Sequence, residues 1–152
     1  YLDSRGAFRE LFLKNKTQSF QSIFWCMSKS KKNVIRGLHI QKMINQAKFV
    51  SVVKGRIFDV ALDLRKNSKT FGKHFAVILS AKNSKSIYIP KGFAHGFQTL
   101  EDNTEVIYQM SEFYYPGHSS GFRWNDPSFN IKWPTDPRVI SSKDQSFPDF
   151  NS

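Results

Sequence analysis

The sequence predicts an all-β fold, a jelly-roll barrel or sandwich with a short helical or irregular C-terminal segment. Three observations predict it. Apolar, β-branched runs recur at roughly even spacing through the middle of the chain, turn-forming residues close each one, and the pattern loosens only after Pro116-Gly117.

Taken in order, Phe8 to Phe12, Phe20 to Met27 and Val34 to Gln41 read as strands. Ala47 to Val53 is apolar and β-branched, Lys54-Gly55 reads as a two-residue turn, and Arg56 to Leu64 alternates, which together predict a hairpin. In its second arm Phe58, Val60, Leu62 and Leu64 share a face that feeds a core. Ile57, Asp59, Ala61 and Asp63 share the other, carrying carboxylates toward solvent or a cavity. His74 to Leu79, Ser86 to Ile89, Ala94 to Leu100 and Thr104 to Met110 follow, with breaks at Lys82-Asn83, Pro90-Lys91-Gly92 and Glu101-Asp102-Asn103. Phe122 to Trp124 and Asn130 to Pro134 read as short edge pieces, and a helical turn is expected after Pro137.

The 152 residues have the length of one domain, expected to span 1–152 without linker or repeat. With 39% hydrophobic and 15% aromatic residues the chain can bury a core and is not a disordered one. No stretch reaches the length needed to span a bilayer, and no signal-peptide pattern opens the chain. It opens on Tyr1 and not on Met, which leaves room for N-terminal strand residues upstream. Cys26, the single cysteine, excludes an internal disulfide and a thiolate metal cluster, so a cytoplasmic setting is the default.

The net charge is +11, a value suited to nucleic acid, an anionic membrane face or an acidic small substrate. Its lysines are scattered, however, and Lys29-Ser30-Lys31-Lys32 is the one compact run. That favours a solvated basic surface, compatible with a phosphate-bearing ligand, over a nucleic-acid or membrane footprint.

Two motifs carry chemistry. Arg36-Gly37-Leu38-His39 and Pro90-Lys91-Gly92-Phe93-Ala94-His95-Gly96-Phe97 each put a histidine on a strand beside a glycine. A histidine next to a guanidinium suits proton abstraction from a carbon acid in an anionic substrate. The competing reading is two histidines filling polar positions in a β-rich core.

Further motifs follow in order: Asp3-Ser4-Arg5-Gly6 with Phe8 and Glu10, Ala47-Lys48-Phe49-Val50, Gly55 to Val60, Asp63-Leu64-Arg65, Thr70-Phe71-Gly72, Leu79 to Asn83, Trp124-Asn125-Asp126-Pro127, Ile131 to Pro134 and Ser141-Ser142-Lys143-Asp144. Over nearly the whole chain this series resembles the dTDP-4-dehydrorhamnose 3,5-epimerase family, cupin-type jelly rolls that form dimers. The resemblance implies epimerisation of a nucleotide-linked 4-keto-6-deoxy sugar, with no metal and no cofactor. Hydrogens at C-3 and C-5 are acidified by the carbonyl between them. Epimerisation needs a base on one ring face, stabilisation of the enolate oxygen, and a proton donor on the other face.

By this resemblance His39 is the base, and an imidazole with an ordinary pKa of about 6.5 can accept a proton at neutral pH. Asp144 orients that ring, Lys48 meets the developing enolate charge, and Tyr108 returns the proton. Arg36, Arg5 and Lys143 match cations near the diphosphate or sugar, with Arg5 reaching across a homodimer of exchanged N-terminal strands. His95 and Asp59 match a positioning pair. Tyr114 matches an aromatic that stacks on the nucleobase, with Tyr115 as its alternative, and Phe8 and Glu10 match residues at the nucleotide end.

The resemblance departs at Phe24 and Cys26, which stand where the family has a glutamine and an asparagine on the nucleotide. Losing two polar contacts points to a different nucleotide or sugar. A single-site epimerase is a close variant, since which centre reacts depends on how the ring is presented. Two other classes compete. A metal-dependent cupin needs more ligands than two histidines, and Gln41 stands two residues after His39; a metal assay separates this class. A non-catalytic sugar-nucleotide or nucleic-acid binder is the other, and nucleic-acid binding would weaken steeply with salt.

Overall fold

The computed structural model describes residues 2–4, 6–7, 9–11 and 20–150. Strands β1 (Leu2–Asp3) and β2 (Gly6–Ala7) form a small antiparallel pair. The body is two facing sheets. One has the order β3-β10-β5-β8, from β3 (Phe24–Ser30), β5 (Lys48–Lys54), β8 (Ser86–Ile89) and β10 (Thr104–Met110). The other has the order β11-β4-β9-β6-β7, from β4 (Val34–Gln41), β6 (Arg56–Asp63), β7 (His74–Ser80), β9 (Phe93–Thr99) and β11 (Ser119–Gly121). Strand β12 (Val139–Ile140) adds to β4 in parallel and leads into the one-turn helix α1 (Ser142–Gln145). The chain alternates between sheets as a jelly roll does, so the all-β expectation holds.

Three sequence expectations need correction. Phe8 and Phe12 lie outside the described residues, and 9–11 between them are not in a strand. Strands β5 and β6 do not form a hairpin: β5 lies between β10 and β8, whereas β6 lies between β9 and β7. Gly55 makes the corner between the sheets with φ of +76°, and a Cβ there would collide with Thr104 Oγ1. The expected edge pieces at Phe122 to Trp124 and Asn130 to Pro134 are replaced by β11 and β12.

Both faces of β6 are buried. Ile57 and Ala61 join Val50, Val52, Leu79, Ile89, Phe97 and Val106 between the sheets, and Asp59 shares their face. Val60 and Leu62 point outward, yet the C-terminal segment covers them with Phe129, packed alongside Phe122, Trp133 and Phe150. Each fully buried side chain of this kind contributes roughly 1.5–3 kcal/mol. The same packing therefore pins the segment that carries α1. Asp126 accepts hydrogen bonds from Ser128 N and Phe150 N, which ties the segment's two ends together.

Candidate active site

A cavity of about 420 Å³ opens between the sheets. His39, Arg36 and His95 reach its wall from β4 and β9 of one sheet, whereas Lys48 and Tyr108 reach it from β5 and β10 of the other. Lys143 and Asp144 come from α1, and Tyr114 from the loop after β10. Residues distant in sequence are thus gathered into one space.

The β4–β9 ladder shifts register between Arg36 and His39. Gly37 sits in that irregularity at φ +123°, and a Cβ there would lie 2.6 Å from Gly96 Cα and 2.8 Å from His95 O. Only glycine fits. The irregularity leaves the Gly37 N–H to donate to Asp144 Oδ2 at 3.0 Å, while His39 Nε2 donates to Asp144 Oδ1 at 2.7 Å. Asp144 is itself set by the N-cap of α1, where Ser141 Oγ accepts from the Asp144 N–H. Burial opposes the charge on Asp144, but the hydrogen bond and charge of His39 and the Gly37 N–H hold its carboxyl below the usual range. An ionised carboxylate only accepts, so Nε2 carries the hydrogen and the Nδ1 lone pair remains available. The His39 ring also meets the edge of Phe147, with centroids 5.9 Å apart.

Deeper in, His95 Nε2 lies 2.8 Å from Asp59 Oδ2, and Asp59 Oδ1 is buried with no hydrogen-bond partner among the described residues. Burial pushes the Lys48 ammonium down to about 8, against the attraction of Asp59. Burial likewise raises the Tyr108 phenol above its ordinary value, opposed by its hydrogen bond to Ser28 and by the charge of Arg36. The phenol therefore stays protonated and able to donate. Its ring packs with His95 and Phe97 at centroid distances of 6.3 and 6.1 Å.

Not every expected residue lines the cavity. Asp59 is wholly buried and off the wall, because β6 lies one strand further along the sheet, beyond β9; it bonds His95, which does line the cavity. Tyr115 is off the wall, its ring on His118 and its N–H held by Gln41 Oε1. Glu10 is exposed and off the wall, and Arg5 and Phe8 lie outside the described residues. Of Phe24 and Cys26 only Cys26 reaches the wall, so only one of the two departures bears on the cavity.

Sequence reasoning missed Ser28, Gln41 and Gln46. Ser28 Oγ lies 2.9 Å from Tyr108 OH. Gln41 Nε2 donates to Phe113 O at 3.3 Å, and Gln46 Nε2 donates to Glu112 O at 2.9 Å, fixing the loop that presents Tyr114. Only Gln41, the polar residue that ends the apolar strand β4, carries a sequence signal.

Comparison with known proteins bears on what this cavity does. A profile described as dTDP-4-dehydrorhamnose 3,5-epimerase matches residues 1–152. A protein of that name from Methanothermobacter thermautotrophicus is 42% identical over 154 aligned residues, covering 97% of this chain and 83% of its own. The crystal structure of dTDP-6-deoxy-D-glucose-3,5-epimerase from Legionella pneumophila, in complex with dTDP-4-keto-L-rhamnose, superposes with a TM-score of 0.96 at 38% identity. It covers 99% of this chain and 84% of its own. A Bacillus anthracis dTDP-4-dehydrorhamnose 3,5-epimerase with TDP and PPi bound gives a TM-score of 0.91 at 41% identity, over 97% and 87% of the two chains.

Proposed function

The chain belongs to the dTDP-4-dehydrorhamnose 3,5-epimerase family, and from that premise we propose how its cavity works. The protein is an isomerase that epimerises a dTDP-linked 4-keto-6-deoxy sugar at C-3 and C-5. His39 takes a proton through Nδ1 from one ring face, with Asp144 holding the ring and stabilising the imidazolium. Electrons move onto the keto oxygen, where the Lys48 ammonium meets a charge that exists only once the proton has left. Tyr108 delivers a proton to the opposite face, inverting the carbon. Arg36 and Lys143 hold the diphosphate, Tyr114 stacks on the base, and His95 with Asp59 fixes the cavity floor beside Lys48.

One observation carries this reading. His39 and Tyr108 arise from opposite sheets and border a single cavity, the arrangement that two-sided proton transfer requires. The relatives' names and bound ligands favour thymine as the base despite Cys26.

Residues 1–152 form one catalytic domain that works in the cytoplasm, in polysaccharide biosynthesis, without nucleic-acid or membrane partners. It acts as a homodimer with exchanged N-terminal strands and Arg5 reaching the partner's cavity. Trp25 and Met27, 56% and 60% exposed on the edge strand β3, supply an apolar face suited to that contact.

The test is incubation with dTDP-4-keto-6-deoxyglucose in deuterated water, with NMR to locate the label. Deuterium and inversion at both carbons support double epimerisation, and inversion at one carbon alone reduces the reading to a single-site epimerase. No label would remove the catalytic reading. Affinities for dTDP, CDP, GDP and UDP, compared side by side, test the base; dTDP should bind tightest.

A further inference from the structure

We propose that Ser28 is a positioning residue for proton return: its hydroxyl donates to the Tyr108 oxygen, frees the phenolic hydrogen to face the sugar, and holds the phenolate that transfer leaves. This rests on the reading of Tyr108 as the acid.

Ser28 opposes Val106 across the β3–β10 ladder and Tyr108 opposes Cys26, so Ser28 and Tyr108 meet diagonally on one sheet face. Their oxygens are 2.9 Å apart, and both residues line the cavity. Among the described residues Ser28 is the phenol's hydrogen-bond partner. Which oxygen donates decides the chemistry. A phenol that spends its hydrogen on Ser28 has none aimed at the substrate, whereas a serine that donates leaves the phenolic hydrogen free.

The transfer breaks the phenol O–H bond, forms a C–H bond on the sugar, and leaves a full negative charge on the phenol oxygen. Burial disfavours that charge, and Ser28 and Arg36 are the groups that oppose the penalty. A hydrogen bond to an ionised acceptor is roughly twice as strong as to a neutral one, so Ser28 helps the transferring state more than the resting one. Afterwards the phenolate takes a proton from water and the His39 imidazolium gives one up, so the cycle closes.

The test compares wild type, Ser28→Ala, Ser28→Thr and Tyr108→Phe on dTDP-4-keto-6-deoxyglucose in deuterated water. Both deuterium entry at C-3 and C-5 and the amount of inverted product are measured. Ser28→Ala should raise the ratio of label to inversion roughly tenfold, as expected for losing one hydrogen bond to a charged group. It should lower kcat for inversion and leave KM in place, and Ser28→Thr should restore the ratio. Should Ser28→Ala fail to fold, Ser28→Cys, similar in size and a weaker donor, gives the same reading.

An unchanged ratio overturns the inference, and so does an equal loss of label and inversion, which is what mere loosening of the edge strand would produce. Tyr108→Phe separates the two readings. If it still inverts the sugar, the acid assignment fails and this inference fails with it. If it labels without inverting while Ser28→Ala leaves the ratio unchanged, only the role of Ser28 fails.

Discussion

His39 and His95 each bond a carboxylate, at 2.7 and 2.8 Å, and they occupy opposite environments. The His39 side chain is 40% exposed and its carboxylate arrives from a C-terminal helix, whereas His95 and Asp59 are 5% and 0% exposed within the strands. A base that turns over must trade protons with water, and His39 can. The buried pair is better suited to hold charge and shape beneath Lys48. The same two residue types thus do different work according to solvent access, which is the lesson of the pair.

The largest effect should come from Asp144→Asn. Its amide cannot stabilise the imidazolium or hold the His39 tautomer, so deuterium entry at both sugar carbons should slow roughly 10³-fold, as read by NMR. The pH sign follows from the lowered carboxyl. Its stabilisation is present above the ordinary carboxylate pKa and fades as pH falls through the lower folded value. Hydrogen exchange of α1 should therefore stay slow at neutral pH and speed up only in acid, as pH falls from the ordinary carboxylate pKa. Protection that vanished near neutral pH would break this account of the pair.

Next, Lys48→Met should slow epimerisation roughly 10²-fold, the scale of a lost oxyanion donor. Because the ammonium titrates at about 8, wild-type turnover should decline as pH rises through that value. Lys48→Arg, which does not titrate there, should flatten the decline. For stability the sign is opposite: keeping Lys48 charged is a burden below about 8, relieved as pH rises toward its ordinary 10.5.

The smallest effect on rate, and the largest on folding, belongs to the buried pair. Asp59→Asn should lower unfolding stability by about 2 kcal/mol, since it removes the carboxylate that the buried His95 ring bonds. It should also move the alkaline decline to lower pH, because the Asp59 carboxylate holds the Lys48 value up. Urea titration and a pH–rate profile read the two effects. A profile unmoved by Asp59→Asn would separate the pair from Lys48.

Much of this was legible in the chain. Strands β4 through β10 announce themselves by alternation and by turn residues such as Pro90-Lys91-Gly92, and these are local signals. Sheet membership is not local. The Lys54-Gly55 turn resembles a hairpin in sequence, yet each flanking strand has both edges occupied by others. The apolar face of Phe58, Val60 and Leu62 was visible, but the C-terminal aromatics that cover it were not. His39, Lys48, Tyr108 and Asp144 could be picked out by family pattern, whereas Ser28 shows itself only when the β3–β10 register sets it beside the phenol. Asp59 was expected to face solvent or a cavity and is instead wholly buried beside one.

The division of labour between the two walls is tested most directly by following His39→Ala and Tyr108→Phe together by NMR, with the keto sugar in deuterated water. His39→Ala should give neither label nor inversion, and Tyr108→Phe should give label without inversion. Identical behaviour of the two variants, or inversion surviving in either, would contradict proton transfer from opposite sheets.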